Sequence, residues 1–317
     1  MNFSKFLFLT LLTLSFFTAC EDDTDDPNLQ GSVRFEITDA PSDDADVEAV
    51  FITVIGVRVD GELSTTEKAT FDLSALQNGS VRSIGEVQLD ARTYNSLELV
   101  LDYETDASGN APGCYVETTD GTRHALEANT NFVSTSNGEF SVNEGDLTTV
   151  IIDFDLRKAL RRDESNAEDR YDFATSGELS AALRFVEEEE SGEVTGSCTN
   201  HELGGEKVIV YAYERGTYDQ ETEVNAQGSS EIRFAGAVTS AELSAGGDYQ
   251  LNFLKPGAYE LHFFGYTDND ADNDGRFELT SKLQVETLLS LDLLGLELTA
   301  GASLRTDVTV VGVTPLF

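Results

Sequence analysis

The sequence predicts an all-β protein of two β-sandwich domains, set behind a signal peptide and an acidic tether. Three observations carry that prediction. Short alternating or wholly apolar stretches, bounded by Gly, Asp and Asn turns, recur along most of the chain, as packed sheets require. Helical periodicity is confined to two brief segments. The strand pattern also stops at EEEESG, residues 187–192, and then starts again. Four adjacent glutamates do not fit a packed interior, so this run marks a solvated connector or an exposed strand end. The expected division is 1–19 signal peptide, 20–30 tether, 31–187 first β-rich domain and 188–317 second sandwich, the last having the length of one small domain.

At the N-terminus, a single positive charge at Lys5 precedes a mostly apolar run, 6–17. The run is long enough for a signal-peptide core and short of the roughly 20 residues that span a bilayer. Phe17-Thr18-Ala19-Cys20 resembles a bacterial lipobox, with Phe17 where Leu is usual. The resemblance implies that Cys20 becomes the first mature residue and carries covalent lipid, palmitate-type acyl chains that anchor it to the outer membrane. An ordinary secretory signal with a chance cysteine is the alternative. The following EDDTDD, 21–26, resembles the acidic export signal of surface-exposed lipoproteins in Bacteroidota-type bacteria, which implies display at the cell surface. A hydrated tether held open by like-charge repulsion is compatible with it.

The strands follow in order. SVRFEI (32–37) places Val33, Phe35 and Ile37 on one face, and VEAVFITVIGVRV (47–59) is apolar on both faces at its centre, the mark of an interior strand. LELVLDY (97–103) and TVIIDF (149–154) repeat the theme. Asp120-Gly121 is a hairpin turn between strand-like flanks. FDLSALQ (71–77), closed by Asn78-Gly79, and LRKALRR (156–162) are the two helical candidates. Past residue 192, strands are expected at 193–198, 207–213, 231–235, 249–254, 259–266, 293–299 and 305–313, with Lys255-Pro256-Gly257 as a turn.

Composition narrows the function. Lys plus Arg number 20 against 59 Asp plus Glu, a net charge of −39, which repels nucleic acid and favours cations. There are three cysteines. With Cys20 lipidated, Cys114 and Cys198 remain as an even pair in an oxidising compartment, which predicts a disulfide between them. Such a bridge contributes roughly 4–5 kcal/mol in the chain-entropy model before strain; two free thiols are the alternative.

Residues 31–61, with a strand ending in TDAP and the long strand after it, together with FDLSALQNG (71–79) and VIIDFDLRKAL (150–160), resemble a bacterial family, domain of unknown function 4382. The resemblance covers roughly 31–187. It implies a secreted or lipid-anchored β-rich domain and no known activity. GEVTGSC (192–198), VIVYAY (208–213) and YQLNFLKPGAYELHFFGY (249–266) are similar to carboxypeptidase-regulatory-like or transthyretin-like sandwiches, which implies an Ig-like architecture and a structural or adhesive role.

The sharpest chemical signal is TDNDADNDGRFELT, 267–280. Asp270, Asp272 and Asp274, the carbonyl of Arg276 and Glu278 fit the opening of a calcium loop, with Gly275 at the bend. Position twelve is Ser281 instead of Glu and no flanking helices are evident, so a weak hairpin-borne site of about 10⁻⁴–10⁻³ M is expected. A solvated acidic turn is the rival reading. A second acidic loop holds Asp39, Asp43, Asp44 and Asp46 around Pro41, where a rigid turn is favoured over a metal cage. His124, His201 and His262 sit in strand or turn contexts, and no nucleophile elbow, zinc-protease or phosphate-loop motif is present. Arg157, Lys158, Arg161 and Arg162 are expected to pair locally with Asp153, Asp155, Asp163 and Glu164. These readings predict a non-catalytic, lipid-anchored envelope protein in adhesion, scaffolding or capture of a protein or glycan ligand, with calcium as a stabiliser. The alternative is a glycan-binding accessory lipoprotein of a surface uptake system. That would use exposed tyrosines such as Tyr211, Tyr213 and Tyr218, since Trp is absent.

Overall fold

A computed structural model describes residues 29–40, 44, 46–135, 137–162, 171–268, 277–287 and 292–317. They form an all-β protein of face-to-face sheets; the helices among them are short pieces at Leu156–Ala159, Ser176–Ala181 and Gln220–Glu223, with a 3-10 turn at His201–Gly204. Cys20 and the aspartates Asp270, Asp272 and Asp274 with Arg276 lie outside the described residues.

The N-terminal sheets pack as a sandwich. One runs in the order Leu183–Glu187, Leu147–Phe154, Gln30–Thr38, Arg82–Asp90. Gln30–Thr38 pairs parallel with Leu147–Phe154 and antiparallel with Arg82–Asp90. Its alternation is as the sequence reads: Val33, Phe35 and Ile37 are fully buried. The facing sheet centres on Val47–Val59. Glu62–Asp72 follows one edge of that strand, and Tyr115–Thr118 and Leu97–Leu101 share the other. The register shifts between Val54 and Gly56, a β-bulge at Ile55. A bulge moves side-chain parity by one. Val50, Ile52 and Val54 therefore enter the same core as Val57 and Val59, which accounts for much of the continuous apolar run.

The turn after Leu183–Glu187 is tight. Ser191 donates to the carbonyl of Glu188 from its amide (3.1 Å) and its hydroxyl (2.8 Å), and Gly192–Thr199 begins at once. This last strand belongs to two layers. It pairs with Asp248–Leu254 and Ser303–Arg305, then at Cys198 passes to Val308–Pro315. The larger C-terminal layer runs Thr239–Glu242, Lys207–Glu214, Gly257–Asp268, Phe277–Thr287, Val308–Pro315. One face of it, with Val210, Leu261 and Phe263, packs on Val194 and Leu251. The other, with Ile209, Tyr211, Tyr213 and Phe264, is covered by Val224, Phe234 and Ala237. Lys207–Glu214 is buried on both faces as a result.

Several expectations are corrected. FDLSALQ makes a turn and no helix: Leu73 and Leu76 are pinned in the core, and Asn78 and Gly79 take positive φ, 57° and 77°. LRKALRR gives one helical turn and then the strand Leu160–Arg162. Residues 231–235 are not a strand, because Glu231 and Phe234 adopt positive φ (55° and 52°) as the segment folds over the Tyr211 face. Cys114 and Cys198 are free and buried. Cys114 lies in the N-terminal core and Cys198 in a separate one, so each thiol fills its own apolar interior and they do not meet. Burial pushes Cys114 up to about 12 and Cys198 to about 11.

Candidate functional site

Asp39, the acid of the TDAP segment, follows Gln30–Thr38 at a point where three segments converge. Its Oδ1 accepts from the amide of Leu156 (3.1 Å), and its own amide donates to the carbonyl of Leu76 (3.1 Å). Thr38 adds its hydroxyl to the carbonyls of Leu76 and Ser80, both at 2.9 Å. TDAP, DLSALQNG and DFDLRKAL are thus tied together by main-chain groups that need partners once buried. Burial pushes the Asp39 carboxyl well above the usual carboxylate range; the Leu156 amide opposes this, and the charges of Asp153 and Asp155 add to it.

Beside this knot lies a chain of buried ions. Arg184 pairs with Asp153 at 2.5 Å and Arg157 with Asp155 at 2.8 Å; Lys158 stands 3.6 Å from Asp155. The cations then reach across to the C-terminal half. Arg157 donates to the carbonyls of Arg233 and Phe234 (both 2.8 Å), Lys158 to Ala237 (2.5 Å) and Arg184 to Phe253 (2.5 Å). Glu178 completes the crossing. It accepts from the Ser229 amide at 2.7 Å and the Ser230 hydroxyl at 2.6 Å. Burial works against its charge, but the hydroxyls of Ser230 and Thr175 with the amides of Ser230 and Ser229 hold it down at about 2. Burial lowers Lys158 to about 8 against the pull of Asp155. Arg157, Lys158 and Arg162 are therefore interior, while the Arg161 side chain is exposed beside Asp172. Arg157 and Lys158 pair locally with Asp155 as expected, whereas Asp153 serves Arg184; Asp163 and Glu164 lie outside the described residues.

The second acidic loop gathers a guanidinium. Arg162 lies 3.2 Å from Asp44 and 3.5 Å from Asp46, and Tyr171 donates to Asp44 at 3.0 Å. Glu278, the one calcium candidate within the described residues, stands in Phe277–Thr287 opposite Thr267. Among the described residues, no group of three or more His, Cys, Asp or Glu side chains is placed to hold a metal ion.

The histidines are taken up by packing. His124 meets Tyr171 edge-on at 5.4 Å, and His201 Nδ1 lies 3.1 Å from the carbonyl of Cys198. His262 stacks under Tyr218 at 3.8 Å, and burial together with Lys282 lowers it to about 4 against the pull of Glu260. Tyr211 and Tyr213 are fully buried, bonded to Tyr266 (2.6 Å) and Glu223 (2.9 Å). Tyr218 has Lys282 at 4.4 Å from its ring centre. These rings do not form the exposed platform considered from the sequence.

Residues 30–174 match the family model described as Domain of unknown function (DUF4382), a little under half of the chain. No curated protein matches it. Among solved structures, the chain is similar to the Bacillus anthracis TIE protein at 12% identity, covering 89% of this chain and 34% of that one, with a TM-score of 0.19. It is similar to the shaft pilin SpaA from Lactobacillus rhamnosus GG at 10% identity, covering 90% and 100%, with a TM-score of 0.20. A putative cell adhesion protein from Bacteroides ovatus has 13% identity over 90% and 95%, with a TM-score of 0.19. Superpositions this loose carry no argument about fold or activity.

Proposed function

We propose that this chain is a non-catalytic protein of the cell envelope, anchored through lipid on Cys20 to the outer membrane and displayed outward, where it works in adhesion, scaffolding or ligand capture. The observation that supports this reading is where the buried charge goes. Arg157, Lys158 and Arg184 end on main-chain carbonyls of the C-terminal half, three in the 233–237 cover and one in Asp248–Leu254, so ions that a hydrolase would hold ready for substrate instead fix one half against the other. Buried charges are retained where partners and hydrogen bonds satisfy them. The experiment is localisation. Cys20→Ser should move the protein from the membrane to the soluble fraction, and external protease should strip the native protein from intact cells. Membrane retention of the variant overturns the anchor, and full protease resistance overturns the outward display.

Calcium on the 267–280 hairpin belongs to the same reading. A cation there cancels repulsion among Asp270, Asp272, Asp274 and Glu278. Chelation should lower the melting temperature, and Asp272→Ala should abolish that response; a melting curve indifferent to chelator would remove calcium from the account.

A further inference from the structure

The aromatic face of the larger C-terminal layer is closed by a segment that belongs to no sheet. Residues 224–237 run from the end of Gln220–Glu223 towards the start of Thr239–Glu242, with one isolated bridge between Gln227 and Ile232. Phe234 lies flat on Tyr211, the ring centres 4.1 Å apart, and stands 4.7 Å from Phe264. Val224 and Ala237 complete the cover. Beneath it Tyr211, Tyr213, Phe264 and Tyr266 are buried.

The polar groups that grip this segment come from the other half of the chain. Arg157 reaches the carbonyls of Arg233 and Phe234, and Lys158 that of Ala237. Glu178 accepts from the amides of Ser229 and Ser230 and from the Ser230 hydroxyl. The Arg157 guanidinium also stands 5.4 Å from the centre of the Tyr211 ring, so one side chain holds the segment and touches the face under it. The backbone is strained where it is gripped. Glu231 and Phe234 have φ of 55° and 52°, left-handed positions that residues with a side chain keep only where their surroundings impose them. Gly228, at φ 70°, comes so close to Glu178 that a Cβ would stand 2.1 Å from its Oε1. The turn is shaped around a carboxylate of the N-terminal half.

We propose that residues 224–237 are a latch. Arg157, Lys158 and Glu178 keep it shut, and loosening their grip lifts it from the Tyr211 face while both halves stay folded. Irregular segments held at a few points open locally before the strands they cover. Parting of the two halves therefore uncovers a sheet face lined with tyrosine and phenylalanine rings. Neither lipid on Cys20 nor calcium enters this mechanism, so it fails separately from the function proposed above.

The test is thiol labelling of the full folded chain with iodoacetamide, read by peptide mass spectrometry. Ala237→Cys places a reporter on the buried side of the latch. Cys114 and Cys198, buried in the N-terminal and C-terminal cores, report the unfolding of each half. Adding Glu178→Gln should speed labelling of the reporter about tenfold or more, the worth of one charge-assisted hydrogen bond, with Cys114 and Cys198 unchanged. Gly228→Ala, which crowds Glu178 and alters no charge, should act in the same way. Either variant that speeds the reporter alone supports the latch. The proposal is overturned if neither does, or if the reporter speeds up only together with Cys114 or Cys198.

Discussion

Asp39 sits where a carboxylate is least at ease: buried, near Asp153 and Asp155, with the Leu156 amide on Oδ1 and no protein donor on Oδ2. Its raised native pKa means that the folded chain holds this proton more tightly than the unfolded chain does. Stability from this group is therefore greatest at acid pH and declines as pH rises from the unfolded value through the native one. Asp39→Asn keeps an acceptor for Leu156 and cannot ionise. Its new amide lies by a small cavity lined also by Asp153 and Ser240, which supply acceptors. The variant should melt a few degrees higher than the wild type at neutral pH and lose that advantage on acidification. A lower melting temperature at pH 7 would mean that the negative charge is needed. The sequence marks Asp39 as part of the TDAP segment and as a poor metal ligand. Its actual partner, an amide 117 residues away, is set by strand order and leaves no local trace.

At the scale of elements, alternation and turn chemistry made the N-terminal strands legible: Val33, Phe35 and Ile37 point inward, and Asp120-Gly121 turns the hairpin of Tyr115–Thr118 and Arg123–Ala125. What periodicity misses is a change of partner. The bulge at Ile55 hides inside an unbroken apolar run. Residues 231–235 carry strand-forming side chains, yet serve as a cover over Tyr211, where backbone reversal matters more than pairing. Gly192–Thr199 shows the same limit, since it belongs to two layers. Gly196 makes that possible: a Cβ there would run into the carbonyl of Thr306 and the ring of Tyr249, whose hydroxyl donates to that same carbonyl at 2.5 Å. Gly196→Ala should destabilise the protein by about 1–3 kcal/mol, the usual cost of overpacking, read as a lower urea midpoint. An unchanged midpoint would show that the two layers can separate at this point without loss.

For the whole molecule, charge dominates. A net −39 opposes compaction, and the repulsion is long-ranged and open to screening. Raising KCl from about 0.01 M to about 1 M shortens the Debye length from about 30 Å to about 3 Å, so the melting temperature should climb with salt. A flat or falling curve would show that local ion pairs, such as Arg162 with Asp44 and Asp46, already offset the surplus. The parallel pairing of Gln30–Thr38 with Leu147–Phe154 has a mechanical consequence. A chain held by its N-terminal end and tugged by whatever it grips receives tension along its first strand. That strand lies between two neighbours, one parallel and one antiparallel, so tension slides it lengthwise and strains the rungs from Ser32 to Thr38 together. The first strand is therefore arranged to shear under load rather than to unzip rung by rung.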